Sequence, residues 1–173
     1  MTDALIRDAC MADAQAIADI YNHYIEHSTA TFDTEPKTAE ERLSWLDAHG
    51  ERYPVLVAEI DGRVVAWGSL TAWSPRPAYA PAVEVSTYVA PDAVGRGLGP
   101  QLMEELVECA RRAGHRALLS QVVSENEHSL RVTERMGFER VGLLREVGLK
   151  FGRRLDVVIL ERLIDQGGLA ERD

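Results

Sequence analysis

The chain has 173 residues, 46% hydrophobic and 27% charged, which is the balance of an ordinary globular domain with a single core. Its 28 acidic against 19 basic residues leave a net charge of −9, which argues against nucleic acid or an anionic membrane as a partner. No apolar run approaches the ~20 residues of a membrane span, and the N-terminus carries an early Asp in place of an apolar leader, so a cytoplasmic protein is expected. One domain over residues 1–165, with a frayed tail over 166–173, is the expected organisation.

In chain order, Leu5–Arg7 reads as a short strand and Met11–His27 as a helix, with Ile17, Ile20, Tyr21, Tyr24 and Ile25 on one face. Thr38 and Glu41 form a capping box that opens a second helix through Leu43 and Leu46. Asp61-Gly62 between two apolar runs, Val55–Ile60 and Val64–Leu70, is a hairpin signal. Trp73–Pro81 holds three prolines and reads as a loop. Val83–Val89 alternates as a strand, and Gly99–Gly114 reads as a helix with Leu102, Met103, Leu106, Val107 and Ala110 facing the core. Ala117–Val123 is a buried strand, Asn126–Met136 a short helix, and Phe138–Leu149 a strand bent near Gly142. Phe151-Gly152-Arg153 makes a turn into a last strand, Asp156–Leu163. The sum is a mixed α/β domain.

The chemistry concentrates between strand and helix at Gly95-Arg96-Gly97-Leu98-Gly99. A strand, a glycine loop and a helix N-terminus together offer bare backbone N–H groups to a phosphate; the bland reading is a tight turn. Gly99 is expected as the N-cap, with Pro100 as the first helical residue. The loop is neither a Walker A loop nor a dinucleotide fingerprint, because the Lys-Ser/Thr pair and the third glycine are missing. Glu84, Ser86 and Tyr88 share one face of the preceding strand. A carboxylate there is a candidate general base and Tyr88 a candidate orienting group, each against a reading as an ordinary strand residue. Asn126 is at least an N-cap. His23-Tyr24-Ile25-Glu26-His27 matches a zinc-peptidase pattern, but its histidines project away from the apolar stripe and no third ligand is evident, so no metal is expected. Cys10 and Cys109 read as two small apolar residues.

These residues resemble the GCN5-related N-acetyltransferases over nearly the whole chain. Within them the chain is similar to the phosphinothricin and methionine sulfoximine N-acetyltransferases, on Thr31-Phe32-Asp33-Thr34-Glu35-Pro36, Val83-Glu84 with Tyr88-Val89, and Val147–Arg153 followed by Asp156. The resemblance implies a central mixed β-sheet splayed at the cofactor strand and flanked by helices. It also implies acetyl-CoA as co-substrate, a small amino-acid-like amine as acceptor, and a homodimer in which the Lys150–Arg154 turn reaches toward a neighbour's pocket. Acetyl-CoA would lie on Val94, Gly95, Arg96, Gly97, Leu98 and Gly99, along Thr87, Tyr88 and Val89, and beside Asn126 and Ser129. Glu84 and Tyr88 would carry the catalysis. Phe32, Arg76, Tyr79, Glu84 and Thr133 would face the acceptor, with Arg76 pairing to a carboxylate or phosphinate. Two positions depart from the family pattern: Val94 stands where Gln or Arg is usual, and Thr133 where relatives carry Tyr or His as general acid. A polyamine or protein N-terminal acceptor, or a non-catalytic acyl-CoA-binding module, are the alternatives.

Overall fold

The computed structural model describes residues 4–165; the tail expected after Asp165 lies outside them. Strands β1 (Leu5–Asp8), β2 (Val55–Ile60), β3 (Arg63–Ala72), β4 (Ala82–Val89), β5 (Ala117–Val123), β6 (Glu139–Lys150) and β7 (Arg153–Leu163) form one sheet in the order β1-β2-β3-β4-β5-β7-β6. Every neighbouring pair is antiparallel except β4 and β5. That parallel pair needs a crossover, and α3 (Leu98–Arg112) supplies it. Helices α1 (Ala14–His27) and α2 (Ala39–Asp47) precede β2, and α4 (Glu127–Arg135) follows β5.

Local chemistry explains most of these boundaries. Asp61 and Gly62 take φ of 50° and 78°, the left-handed pair that a two-residue hairpin turn requires. Thr38 Oγ1 accepts from Glu41 N while the Glu41 carboxylate accepts from Thr38 N, which closes the capping box of α2. Gly114 and Gly137, with φ of 80° and 83°, end α3 and α4. Two helix starts differ from the sequence reading. The first turn after Cys10 is a 3₁₀ turn (Met11–Asp13), with Asp13 held by Arg7 at 2.7 and 2.9 Å. Helix α3 begins at Leu98 with Gly97 as its N-cap, two residues earlier than the Gly99 cap expected. Pro100 therefore falls in the first turn, where a missing N–H removes no intrahelical bond.

The α3 face of the sheet buries Leu102, Leu106 and Ala110 completely, with Val83, Leu70 and Leu118 among the strand residues of the same core. Gly68 on β3 lies under this contact. A Cβ there would stand 2.8 Å from Leu106 Cδ1 and 2.9 Å from Ser86 O, and the second atom is backbone. Gly68→Ala is expected to cost about 1–3 kcal/mol. A thermal melt of the variant coinciding with wild type would show that the sheet yields there freely.

Strand β4 pairs with β5 only over Ala82–Glu84, against Ala117–Leu119, although both strands run on beyond. β4 stays with β3 as far as Val89↔Ala66, and β5 stays with β7 as far as Val123↔Val157. Each strand is held by its outer neighbour, so the sheet opens into a wedge just after Glu84.

Candidate active site

The wedge is a cleft of about 460 Å³. Its walls are Val85–Val89 of β4, Ser120–Val123 of β5 and the start of α4, and its mouth is the glycine loop. Ala90 donates its N–H to Val65 O on β3 at 2.7 Å. Backbone groups alternate along an antiparallel strand, so Val89 turns its own amide toward the wedge. The Val89 carbonyl accepts from the Tyr24 hydroxyl at 2.6 Å. Gly95 and Gly97 take φ of 88° and 77°, and a Cβ on either would meet nothing closer than 3.7 Å. The loop thus presents open backbone, in conformations that only glycine adopts without strain.

Of the residues expected to hold acetyl-CoA, Thr87, Tyr88, Val89, Val94, Gly95, Gly97, Leu98, Gly99, Asn126 and Ser129 all line this cleft. Arg96 does not. It is exposed and supports the charge of Asp92, which is itself paired with Arg63. Asn126 Oδ1 accepts from Ser129 N at 3.1 Å, so its role as N-cap is real and leaves its amide nitrogen for other partners. The donor set fits a long, largely uncharged ligand arm that ends in phosphates at a helix N-terminus.

A second cavity, of about 530 Å³, lies on the face of β4 that carries Glu84, Ser86 and Tyr88. The segment Thr29–Asp33 and residues Glu41, Arg42 and Trp45 of α2 wall it. The two cavities share Ala30, Ser86, Tyr88, Gln121 and Val123, so they meet across the opened edge of β4. Glu84 is half-buried here and accepts from Gln121 Nε2 at 3.2 Å. Burial pushes its carboxyl above the ordinary glutamate value, and the Gln121 hydrogen bond opposes that shift. Tyr88 sits in an aromatic cluster, with ring centroids 5.1 Å from Tyr21, 5.3 Å from Tyr24 and 4.9 Å from Trp67. Burial raises its phenol far above the normal range, which keeps it a neutral hydrogen-bonding group.

Four of the expected acceptor residues need correction or comment. Phe32 lines the second cavity, packed so closely on Gly148 that a Cβ there would collide with its ring. Thr133 is buried and lines the wedge, on the cofactor side. Arg76 and Tyr79 line neither cavity. Their loop is tied down through Ala80, whose carbonyl takes a hydrogen bond from Arg52 Nη2 at 3.0 Å, and both side chains face solvent. The guanidinium in the acceptor cavity belongs to Arg42 instead. Lys150 also departs from expectation: it is buried within its own chain, giving its Nζ to the carbonyls of Tyr24, Ser28 and Thr31.

Sequence reasoning missed Arg42 and Gln121. The signal for Arg42 was its place four residues before Leu46, on the stripe that faces the core. The signal for Gln121 was one amide in an otherwise apolar strand. The rings of His23 and His27 stack at 4.9 Å, and among the described residues no group of three His, Cys, Asp or Glu is arranged to hold a metal.

Residues 6–159 match the family model for the acetyltransferase (GNAT) domain. The chain is 40% identical over 162 residues to a phosphinothricin N-acetyltransferase of Streptomyces coelicolor, covering 91% of this chain and 94% of that protein. It is 38% identical over 164 residues to an L-methionine sulfoximine/L-methionine sulfone acetyltransferase of Pseudomonas paraeruginosa, covering 94% and 95%. Its fold superposes on that of a Salmonella typhimurium protein solved with its cofactor acetyl-CoA, with a TM-score of 0.92, 34% identity and 98% of each chain covered. An opened β4–β5 edge, a glycine loop at its mouth and a match spanning most of the chain have one account between them: this chain belongs to the GNAT family of acetyltransferases.

Proposed function

We propose that the protein acetylates the amine of a small amino-acid-like acceptor such as phosphinothricin, methionine sulfoximine or methionine sulfone. The observation that carries this reading is the meeting of two cavities at Ser86, Tyr88 and Gln121, one walled by open glycine backbone and the other holding Glu84. The names of the relatives support the acceptor class.

Acetyl-CoA supplies an acetyl group already activated as a thioester. The chain's part is to bind, orient and move a proton. The amides of Gly95, Gly97, Leu98 and Gly99 cradle phosphate oxygens, helped by the partial positive charge of the α3 N-terminus. Thr87, Tyr88 and Val89 hold the acyl arm along the open edge of β4, with Asn126 and Ser129 opposite. The Val89 amide is aimed where a carbonyl oxygen gains charge during attack, a contribution commonly worth about 3 kcal/mol. Glu84 lies four residues before Tyr88 on the same face, roughly 13 Å along the strand. It therefore takes the proton of the acceptor ammonium through water, not by direct contact. Most of the rate gain comes from holding two substrates in register.

The test is release of free thiol from acetyl-CoA with a panel of acceptors. Methionine sulfone, methionine sulfoximine and phosphinothricin should outrank spermidine and a peptide amine. Tight acetyl-CoA binding with no thiol released by any amine would leave only a binding module.

We propose further that the protein works as a homodimer in the cytoplasm. β6 is an edge strand, and Val141, Leu143, Leu144, Val147, Leu149 and Phe151 along it and in its turn are exposed. An open edge lined by apolar side chains invites pairing with another strand. Leu149, 71% exposed, is the test site. Leu149→Glu should convert dimer to monomer by light scattering; wild type that is already monomeric at micromolar concentration would remove the proposal. The two cysteines, Cys10 and Cys109, are both free, as suits a reducing compartment.

A further inference from the structure

Arg42 is 6% exposed, and the sliver it shows lies in the wall of the acceptor cavity. Its guanidinium stands 4.4 Å from the Tyr21 ring centre, 4.9 Å from Trp45 and 5.7 Å from Trp67. Among the described residues no carboxylate forms an ion pair with it, and its Nε is buried without a hydrogen-bond partner. Burial pulls its pKa down, opposed by the nearby Tyr21 and Asp33, yet an arginine remains charged across the working pH range. Ring faces compensate a buried cation only in part. The other buried side-chain atom left without a partner is Trp67 Nε1, on a residue that lines the same cavity. Two unpartnered donors on adjoining residues mark this end of the cavity as made for an anionic oxygen.

The position fits an acceptor more closely than charge alone would require. Trp67 is the cross-strand partner of Tyr88, so Arg42 sits at the Tyr88 end of the β4 face, and Glu84 sits at the other end. In an α-amino acid the carboxylate and the amine share one carbon. A carboxylate held at Arg42 therefore leaves its amine near Tyr88, beside the opened edge of β4. A side-chain acid several bonds away would not bring the amine there. Arg76, the residue expected from sequence to pair with an acid group, is exposed outside the cavity.

We infer that Arg42, boxed by Tyr21, Trp45 and Trp67, is the anchor for the α-carboxylate of the acceptor and selects amino acids over simple amines. This rests on the acceptor class proposed above and goes beyond it in naming the group recognised and the residue that recognises it.

The experiment compares methionine sulfone with its α-carboxamide, which keeps the amine and side chain and removes the charge. Wild type should show a KM for the acid about 10- to 100-fold below that for the amide. In Arg42→Gln that preference should collapse to within a few fold, while the dissociation constant for acetyl-CoA stays unchanged. If Arg42→Gln does not fold, tryptophan fluorescence of the wild type decides the matter. Trp45 and Trp67 flank the guanidinium, so the acid should quench at concentrations tens of fold below the amide. An intact preference in Arg42→Gln, equal losses for acid and amide, or equal quenching by both, overturns the assignment. A wild type that binds acetyl-CoA but acetylates neither compound overturns the acceptor class instead, so the two failures are distinct.

Discussion

Glu84→Gln should lower kcat/KM by about 10²- to 10⁴-fold, the usual worth of a positioned general base. The loss should be accompanied by a change in the pH profile. Only the ionised carboxylate accepts a proton, so wild-type kcat/KM should rise with pH through the Glu84 pKa. Burial has raised that pKa, with Gln121 partly opposing it, so this limb lies above the ordinary glutamate range. The glutamine has no such limb, and the remaining dependence should follow deprotonation of the acceptor alone. Stability runs the opposite way. A carboxyl whose folded pKa is raised imposes a cost that is absent below its unfolded pKa and fully present above its folded one. Glutamine removes that cost, so the variant's Tm at pH 8 should equal or exceed wild type. A pH–rate profile identical to wild type, or a loss of activity explained by unfolding, would take the base role from Glu84.

The second large effect is on stability. Lys150 is 4% exposed, and its Nζ donates to Ser28 O at 2.7 Å, Thr31 O at 2.8 Å and Tyr24 O at 3.3 Å. One ammonium thus satisfies the C-terminal end of α1 and the segment that leads into Phe32 and Asp33. Lys150→Met keeps the stem and removes the donors, which leaves three partly or wholly buried carbonyls without their shared partner. The expected cost is about 3–5 kcal/mol, read by denaturant unfolding. Phe32 and Asp33 line the acceptor cavity and not the wedge, so KM should rise for the acceptor and not for acetyl-CoA. A cost under about 1 kcal/mol, or a parallel rise in both KM values, would show that the segment is held by other means.

Much of this was legible in the chain itself. The Asp61-Gly62 turn, the Thr38–Glu41 box and the α3 stripe through Leu102, Leu106 and Ala110 all rest on interactions within a few residues of one another. Sequence therefore reports them directly. The wedge lining was readable too, because the residues of the glycine loop and of the β4 end that line it are neighbours in the chain. The helix start was misplaced by two residues, since Gly97 and Gly99 can each act as a cap and local chemistry does not choose between them.

The sequence by itself determined the sheet's strands, the phosphate-binding loop, and a carboxylate on the strand that leads into it. Tertiary structure alone decided which cation enters the acceptor cavity. Arg42 and Arg76 are equivalent as residue types. α2 packs beside Trp67 and carries Arg42 inward, whereas the loop bearing Arg76 is pinned at Ala80 and leaves it in water. Only the long-range packing of α2 and that loop onto the sheet separates them, and no local pattern encodes it. The same holds for Lys150, whose three carbonyl partners lie more than a hundred residues away in sequence.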